Sequence, residues 1–218
     1  ACETLIAGLA GYDIAIVSGL ALGIDTIAHE SAMKAGLVTI AVPGSGLDPK
    51  VLYPRANFNL ARKVLDAGGA LLSEFPSDTA PAPWTFPKRN RIMAGMAQAT
   101  LLVEAQAKSG TLITARLATD YNRELMAVPG SIFSPLSYGT NQFIALGATP
   151  VSTSVDILRV LGFDTEQEVP IEHFNLSLFE GGERAVLELL EEPTPREVIF
   201  EQLEMSASEA NVILMKLE

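Results

Sequence analysis

The stretch IAIVSGLALGIDTIAHESAMKAGLVTIAV, residues 14–42, decides the fold of this chain. Two continuous apolar runs rich in β-branched residues, 14–17 and 38–42, flank a segment with a helical pattern from Asp25 to about Ala35. Continuous apolar runs are typical of strands that are buried on both faces of a parallel sheet. The stretch therefore predicts a strand, a helix and a second, parallel strand.

The same alternation continues to about residue 161 and predicts a whole domain of this kind. Further strands are predicted at 70–73, 100–104, 125–128 and 149–151. Helices are predicted at about 56–67, 111–121, 140–146 and 155–161, with one more from residue 92. This pattern indicates a doubly wound, mostly parallel, Rossmann-like α/β sheet, in which ligands bind beyond the carboxyl ends of the strands.

Charge divides the chain into two parts. Residues 1–165 carry 13 acidic and 12 basic side chains, and residues 166–218 carry 13 acidic and 3 basic ones, so the net charges are −1 and −10. We therefore expect a domain at 1–163, a linker at 164–180 and a small all-α, winged-helix-like domain at 181–218. Its three helices are predicted at about 182–190, 195–203 and 206–217. An acidic tail repels phosphates, so any nucleic-acid site is expected in the first part.

Other features limit the function classes. The single cysteine, Cys2, excludes an internal disulfide and a cysteine-based zinc site. No apolar run approaches the roughly 20 residues that a membrane-spanning helix needs, and no signal peptide is visible. The chain begins with alanine in what reads as the middle of a helix, so we interpret it as a fragment. No nucleophile–base pair or metal-ligand cluster is present, so no catalytic residue, metal or cofactor is predicted.

The segment Phe86-Pro87-Lys88-Arg89-Asn90-Arg91 is the main candidate site. It places three cations in six residues, between a proline-rich loop and an apolar helical stretch at 92–97. Free backbone N–H groups near a helix start favour anions. Phe86 and Trp84 add rings on which unstacked bases can lie, although either ring could instead fill the core under the loop. The segment predicts binding of single-stranded nucleic acid.

Two strand-to-helix turns are further candidates. The first, 18–25, is neither GxGxxG nor a P-loop, but Ser18, Gly19 and Gly23 allow close backbone approach and Asp25 can cap the helix. His29 lies one helical turn after Asp25, and the pair could orient a base or form a structural hydrogen bond. The second turn comprises Lys108, Ser109, Gly110 and Thr111. Its hydroxyls and N–H groups could bind a phosphate, or the turn could be an ordinary capped helix start.

Several segments, in order, resemble the bacterial DNA-processing protein A family, also called DprA or Smf. They are SGLALGIDTIAH (18–29), VPGSGLDPKVLYPRAN (42–57), LLSEFP (71–76), FPKRNRIMAG (86–95), VEAQAKSGTLITARLA (103–118), VPGS (128–131) and YGTNQFIALGA (138–148). The resemblance implies a Rossmann-like domain that binds and protects single-stranded DNA in natural transformation and helps to load the RecA recombinase. It also implies a cytoplasmic homodimer without catalysis.

By position, the resemblance assigns roles to most of the candidate residues. Phe86 becomes the base-stacking ring, while Lys88, Arg89 and Arg91 contact phosphates or frame the pocket. Asn90 and residues 109–111 line the same pocket, and Ser18, Gly19 and Lys108 complete the expected DNA-binding set.

Arg89 and Arg91 could instead pair with Glu74 or Glu104. The family's Gly-Ser/Thr-Arg motif would precede residue 1.

Two other functions stay open at this point. One is a nucleotide-binding enzyme such as a nucleotide phosphoribohydrolase, which has a related sheet; its proline-glycine-glycine-x-glycine-threonine loop is missing here, and residues 109–111 are only a partial match. The other is a protein-interaction scaffold in which the basic segment binds an acidic surface.

Overall fold

A computed structural model describes residues 1–165, 181–189, 198, 212 and 213. The chain forms two compact units, Ala1–Glu166 and Gln167–Glu218. Within the second unit, one helix is described, Gly182–Leu189, where the sequence predicts one. Most of the predicted linker and of the predicted helices at 195–203 and 206–217 lies outside the described residues, so the predicted domain boundaries stay a prediction.

In the first unit, helices and strands alternate much as predicted. The strands are β1 (Ala15–Ser18), β2 (Val38–Ala41), β3 (Ala70–Leu71), β4 (Ala99–Leu102), β5 (Glu124–Ala127) and β6 (Thr149–Pro150). The α-helices are α1 (Cys2–Ala7), α2 (Ile24–Lys34), α3 (Phe58–Asp66), α4 (Thr85–Met96), α5 (Thr111–Asp120), α6 (Tyr138–Ala145) and α7 (Ser154–Val160). Short 3₁₀ helices, Arg55–Asn57 and Pro135–Ser137, precede α3 and α6. None of the helices in the described part could span a bilayer.

The described strands form two parallel, three-stranded sheets with the orders β1-β2-β3 and β4-β5-β6. Ala15 pairs with Val38 in the first sheet, and Ala99 pairs with Glu124 in the second. Both sheets contribute to one apolar cluster, which holds Ile16 of β1 and Leu101 of β4 together with Ala28 and Ala32 of α2. Parallel strands flanked by helices are the arrangement of a Rossmann-like α/β fold, so the predicted fold class is confirmed.

The helix that carries the basic segment begins earlier than the sequence predicts. We expected helical structure from residue 92, but α4 begins at Thr85 and has Pro87 as its third residue. Proline is tolerated there because the first N–H groups of a helix have no partner within the helix. Lys88 and Arg91 are consequently one turn apart on the helix, not in a loop before it.

His29 forms a structural hydrogen bond, but not with Asp25. Its side chain is fully buried, and its Nδ1 lies 2.7 Å from the Thr39 hydroxyl, which donates to the Ile16 carbonyl at 2.9 Å. That hydroxyl proton is already used, so His29 Nδ1 carries the donated hydrogen. Burial lowers the pKa of His29 to about 4, against the opposing effect of Asp25. His29 therefore connects α2 to β2, and through Thr39 to β1, as a neutral side chain.

Candidate nucleic-acid interface

Arg89 fixes the start of α4 to the carboxyl ends of two strands. Its side chain is only 6% exposed. Its Nη1 donates to the Gly19 carbonyl, just after β1, at 2.6 Å, and to the Val42 carbonyl, just after β2. Its Nε donates to Asn90 Oδ1 at 3.1 Å. Burial lowers the pKa of Arg89, and the charge of Asp25 opposes that shift. Arg89 therefore joins α4 to the residues that follow β1 and β2.

Two glycines allow this close approach. A Cβ on Gly19 would lie 2.4 Å from Arg89 Nη1, and one on Gly44 would lie 2.4 Å from Cδ1 of Phe86. Neither distance is possible between real atoms, so any larger residue would displace the arginine or the ring. Gly19 thus allows a close approach by a side chain of the same chain, and its predicted approach to a ligand stays a prediction.

The β1–α2 turn is held by polar side chains, Asp25 at its end and Asn57 from a distant segment. We predicted that Asp25 caps α2, but Gly23 occupies the cap position with φ of 88° and Asp25 lies inside the first turn. Its carboxylate accepts hydrogen bonds from Gly19 N–H and Ala21 N–H, both at 3.0 Å. Asn57 donates to the Leu20 carbonyl at 2.8 Å on the other side. The Asp25 carboxylate thus lies at the N-terminus of α2, where the helix dipole stabilises a negative charge.

Phe86 lies in the first turn of α4, half-buried against Gly44. Its ring is 5.8 Å from the ring of Tyr53, tilted by 58°. Thr85 is buried beside it and donates to the Gly44 carbonyl at 2.6 Å. The ring therefore rests on backbone that α4 itself holds in place. Part of Phe86 and nearly half of Tyr53 stay open to solvent.

Two cations on the same helix are accessible. The side chains of Lys88 and Arg91 are 50% and 46% exposed. Both meet the carboxylate of Glu74, Arg91 in direct contact and Lys88 at 4.0 Å. Lys88 Nζ also lies 5.3 Å from the centroid of the Phe75 ring and 6.0 Å from that of Trp84. The alternative pairing with Glu74 is therefore found for Arg91, whereas Arg89 bonds to backbone carbonyls.

The second candidate turn joins this surface through Asn90. Its Nδ2 donates to the carbonyl of Gly110 at 3.5 Å. Gly110 occupies the N-terminal cap position of α5. Ser109, the residue before the cap position, accepts at its Oγ from Thr111 N–H at 3.2 Å. Lys108 is exposed next to it. The candidate interface consists of Phe86, Lys88, Asn90, Arg91 and residues 108–111. Ser18 is half-buried at the end of β1 and precedes Gly19, whose carbonyl accepts from Arg89.

Sequence reasoning missed three contributors. Tyr53 lies 33 positions before Phe86, and its ring contacts the Phe86 ring. In the sequence, an aromatic residue in a predicted loop is the only sign of this contact. Phe75 is buried under Trp84, with ring centroids 5.7 Å apart, so the buried ring below the proline-rich loop is Phe75 and Trp84 is 59% exposed. Gly44 was visible as a glycine after a strand, but its contact with Phe86 was not.

The described residues contain no group of three or more His, Cys, Asp or Glu side chains that could hold a metal ion. Glu104, the other acidic partner considered for Arg89 and Arg91, is exposed two residues after β4. The accessible chemistry of this surface thus consists of rings, cations and a paired carboxylate.

Residues 1–162 match the model of the family described as DNA recombination-mediator protein A. The chain belongs to this family. Over 162 residues it is 45% identical to "Protein Smf" of Escherichia coli, and over 161 residues it is 42% identical to "DNA processing protein DprA" of Streptococcus pneumoniae. These matches cover 74% of the chain and 42% and 56% of the two relatives, so the chain spans about half the length of these family members.

Solved structures of family members share the fold. The X-ray structure of DprA from Streptococcus pneumoniae superposes with a TM-score of 0.66 at 41% identity, covering 75% of this chain and 56% of that one. The Helicobacter pylori DprA structure, described by its single-stranded DNA binding mode, gives a TM-score of 0.65 at 32% identity. It covers 73% of this chain and 71% of that one. The predicted resemblance to the DprA family is therefore confirmed.

Proposed function

We propose that this chain binds single-stranded DNA through the candidate interface and acts as a recombination mediator. The observation that carries the proposal is that a partly open Phe86 ring and two accessible cations, Lys88 and Arg91, lie on the first two turns of one helix. Single-stranded nucleic acid needs this combination, because its bases stack on rings while its phosphates meet cations.

The position of the interface supports the proposal. Arg89 ties α4 to the residues that follow β1 and β2, so the interface lies beyond the carboxyl ends of parallel strands. Ligands bind at this edge in doubly wound folds. The positive end of the α4 dipole adds a favourable field for phosphates. We assign base stacking to Phe86, phosphate contacts to Lys88, Arg91 and Lys108, and a framing role to Arg89.

The remaining residues of the expected set have smaller roles in this proposal. Asn90 and Ser109-Gly110-Thr111 line the interface, with Gly110 held by Asn90. Ser18 and Gly19 border it, although Gly19 already uses its N–H on Asp25 and its carbonyl on Arg89. Gly23, Asp25 and His29 serve the fold and do not contact DNA.

Family membership supports the biological role. Relatives are named as DNA processing proteins, and the Helicobacter pylori structure is described by its binding of single-stranded DNA. We propose that this chain protects incoming single strands, helps to load RecA during natural transformation, forms a homodimer, works in the cytoplasm and catalyses no reaction. These statements are proposals, drawn from relatives of which the chain spans about half the length.

The proposal predicts strongly salt-dependent binding with little sequence preference. We expect the protein to bind a fluorescent oligothymidine, with the logarithm of the association constant falling by about 0.7 per phosphate contact for each tenfold rise in salt. Fluorescence anisotropy at several salt concentrations measures this. Folded protein that does not bind, or binds without salt dependence, would contradict the proposal. Release of free base from a nucleoside monophosphate would then support the phosphoribohydrolase alternative.

Glu74 limits the charge that the interface presents. Replacing Glu74 with glutamine removes the carboxylate that Lys88 and Arg91 share. We expect tighter oligothymidine binding at low salt, because both cations then face the strand without a competing anion. We also expect the plot of the logarithm of the association constant against the logarithm of salt to become steeper by up to about 0.7, the contribution of one phosphate contact. Glu30→Gln makes the same change at an exposed position on α2 and is the control. Equal slopes for the two variants would argue against this role.

A further inference from the structure

The loop between β5 and α6 exposes apolar side chains to an unusual degree. Phe133 is 90% exposed and Ile132 is 83% exposed, and Leu136 and Tyr138 are also open to solvent. Single exposed apolar residues are common on protein surfaces, but four within seven positions indicate a surface that binds something. Nothing in the site described above uses this loop.

The loop is held in place by hydrogen bonds at its base and at its tip. The Asn141 side chain bonds to both backbone groups of Gly130, accepting from N–H at 3.2 Å and donating to the carbonyl at 2.9 Å. At the tip, Ser131 accepts hydrogen bonds from Phe133 N–H at its hydroxyl and from Ser134 N–H at its carbonyl. The exposed ring of Phe133 is therefore presented by an ordered turn, which lowers the entropic cost of binding.

Backbone contacts connect this loop to the candidate interface. Ala105 N–H donates to the Leu136 carbonyl at 2.8 Å, and Gly139 N–H donates to the Ala105 carbonyl at 2.7 Å. Ala105 begins the turn that continues through exposed Lys108 to Gly110, where Asn90 binds. A chain of contacts thus runs from α4 through Asn90 to the 108–111 turn, and from Ala105 to the loop that carries Phe133.

The placement of Phe86 and Phe133 after two strands suits a single strand of DNA. Phe86 rests on Gly44, which follows β2, and the Phe133 loop follows β5. Both positions therefore lie beyond the carboxyl ends of parallel strands, and exposed Lys108 lies in the turn that follows β4. A strand that lies on Phe86 and continues past this turn meets the Phe133 loop, with Lys108 available to a phosphate on the way.

We infer that Phe133, supported by Ile132, is a second base-stacking position that binds single-stranded DNA extending from the Phe86 region. This inference rests on the proposed function. A protein surface is the other occupant that an exposed apolar loop could accept, but continuity with the candidate interface and the neighbouring Lys108 favour DNA. Because bases of every kind present a stacking face, the contact adds affinity for longer strands without sequence preference.

The test compares two oligothymidines, of about 4 and about 12 nucleotides, lengths within the range that one binding surface covers. We expect Phe133→Ala to weaken the binding of the longer strand about fivefold or more and to leave the shorter one within about twofold. Phe133→Trp should restore the longer strand's affinity. Leu65→Ala, an exposed apolar change on α3, is the matched control and should bind both strands as wild type does. Thermal unfolding should show that all variants stay folded.

The outcomes separate the two proposals. If wild type binds both strands and Phe133→Ala binds the longer one equally well, the second stacking position is wrong while the proposed function stands. If Phe133→Ala changes only the oligomeric state, the loop contacts protein and the inference is likewise overturned. If folded wild type binds neither strand, the proposed function fails, and this inference fails with it.

Discussion

Arg89→Ala is expected to lower the free energy of unfolding by about 2–4 kcal/mol, the largest stability effect that we predict for the candidate interface. The buried guanidinium is the hydrogen-bond donor to the carbonyls of Gly19 and Val42. Alanine would leave both carbonyls without that donor and would create a cavity between α4 and the two strand ends. Urea denaturation followed by circular dichroism measures the change.

Arg91→Ala provides the matched control on the same helix. Its side chain is nearly half exposed and its partner is the carboxylate of Glu74, so we expect a loss within about 1 kcal/mol. Arg89→Lys should recover only part of the lost stability, because one ammonium does not reproduce the planar fork of donors. Equal unfolding midpoints for Arg89→Ala and Arg91→Ala would show that the buried contacts contribute little. Because Arg89→Ala is expected to destabilise the fold, loss of DNA binding by this variant does not by itself identify a phosphate contact.

Phe86→Ala is expected to weaken oligothymidine binding by about 5- to 150-fold, which corresponds to the roughly 1–3 kcal/mol that base stacking contributes. The ring is half-buried on Gly44 beside Tyr53, so its removal takes away the stacking surface and leaves the cations of α4 in place. Anisotropy titration measures the affinity. We expect the salt dependence to stay close to that of wild type, because no phosphate contact is lost.

Gly44→Ala tests the same site without touching the ring. The new Cβ would lie 2.4 Å from Phe86 Cδ1, so the ring has to move and affinity should fall although Phe86 is present. Gly95→Ala on α4 is the control, since its Cβ would lie 3.7 Å from Tyr121, an ordinary contact. If Gly44→Ala and Phe86→Ala both bind like wild type while folded, Phe86 is not a stacking residue.

Much of the fold followed from local sequence patterns. The apolar runs at 14–17 and 38–42 became the paired strands β1 and β2, because continuous β-branched runs suit the interior of a parallel sheet. The start of α4 was placed too late because Pro87 reads as a loop residue, although the first turn of a helix accepts proline. Family membership was also recognisable, since the matching segments keep their order along the chain.

The sequence by itself determined the order of strands and helices, the family and the short segment from Phe86 to Arg91 as the main candidate site. Only the tertiary structure decided what each side chain there touches. Arg89 bonds to a carbonyl 70 positions away, and His29 bonds to Thr39 rather than to Asp25 on its own helix. The physical reason is that local patterns report helical and strand periodicity, whereas burial and pairing depend on groups that meet only when distant segments pack together.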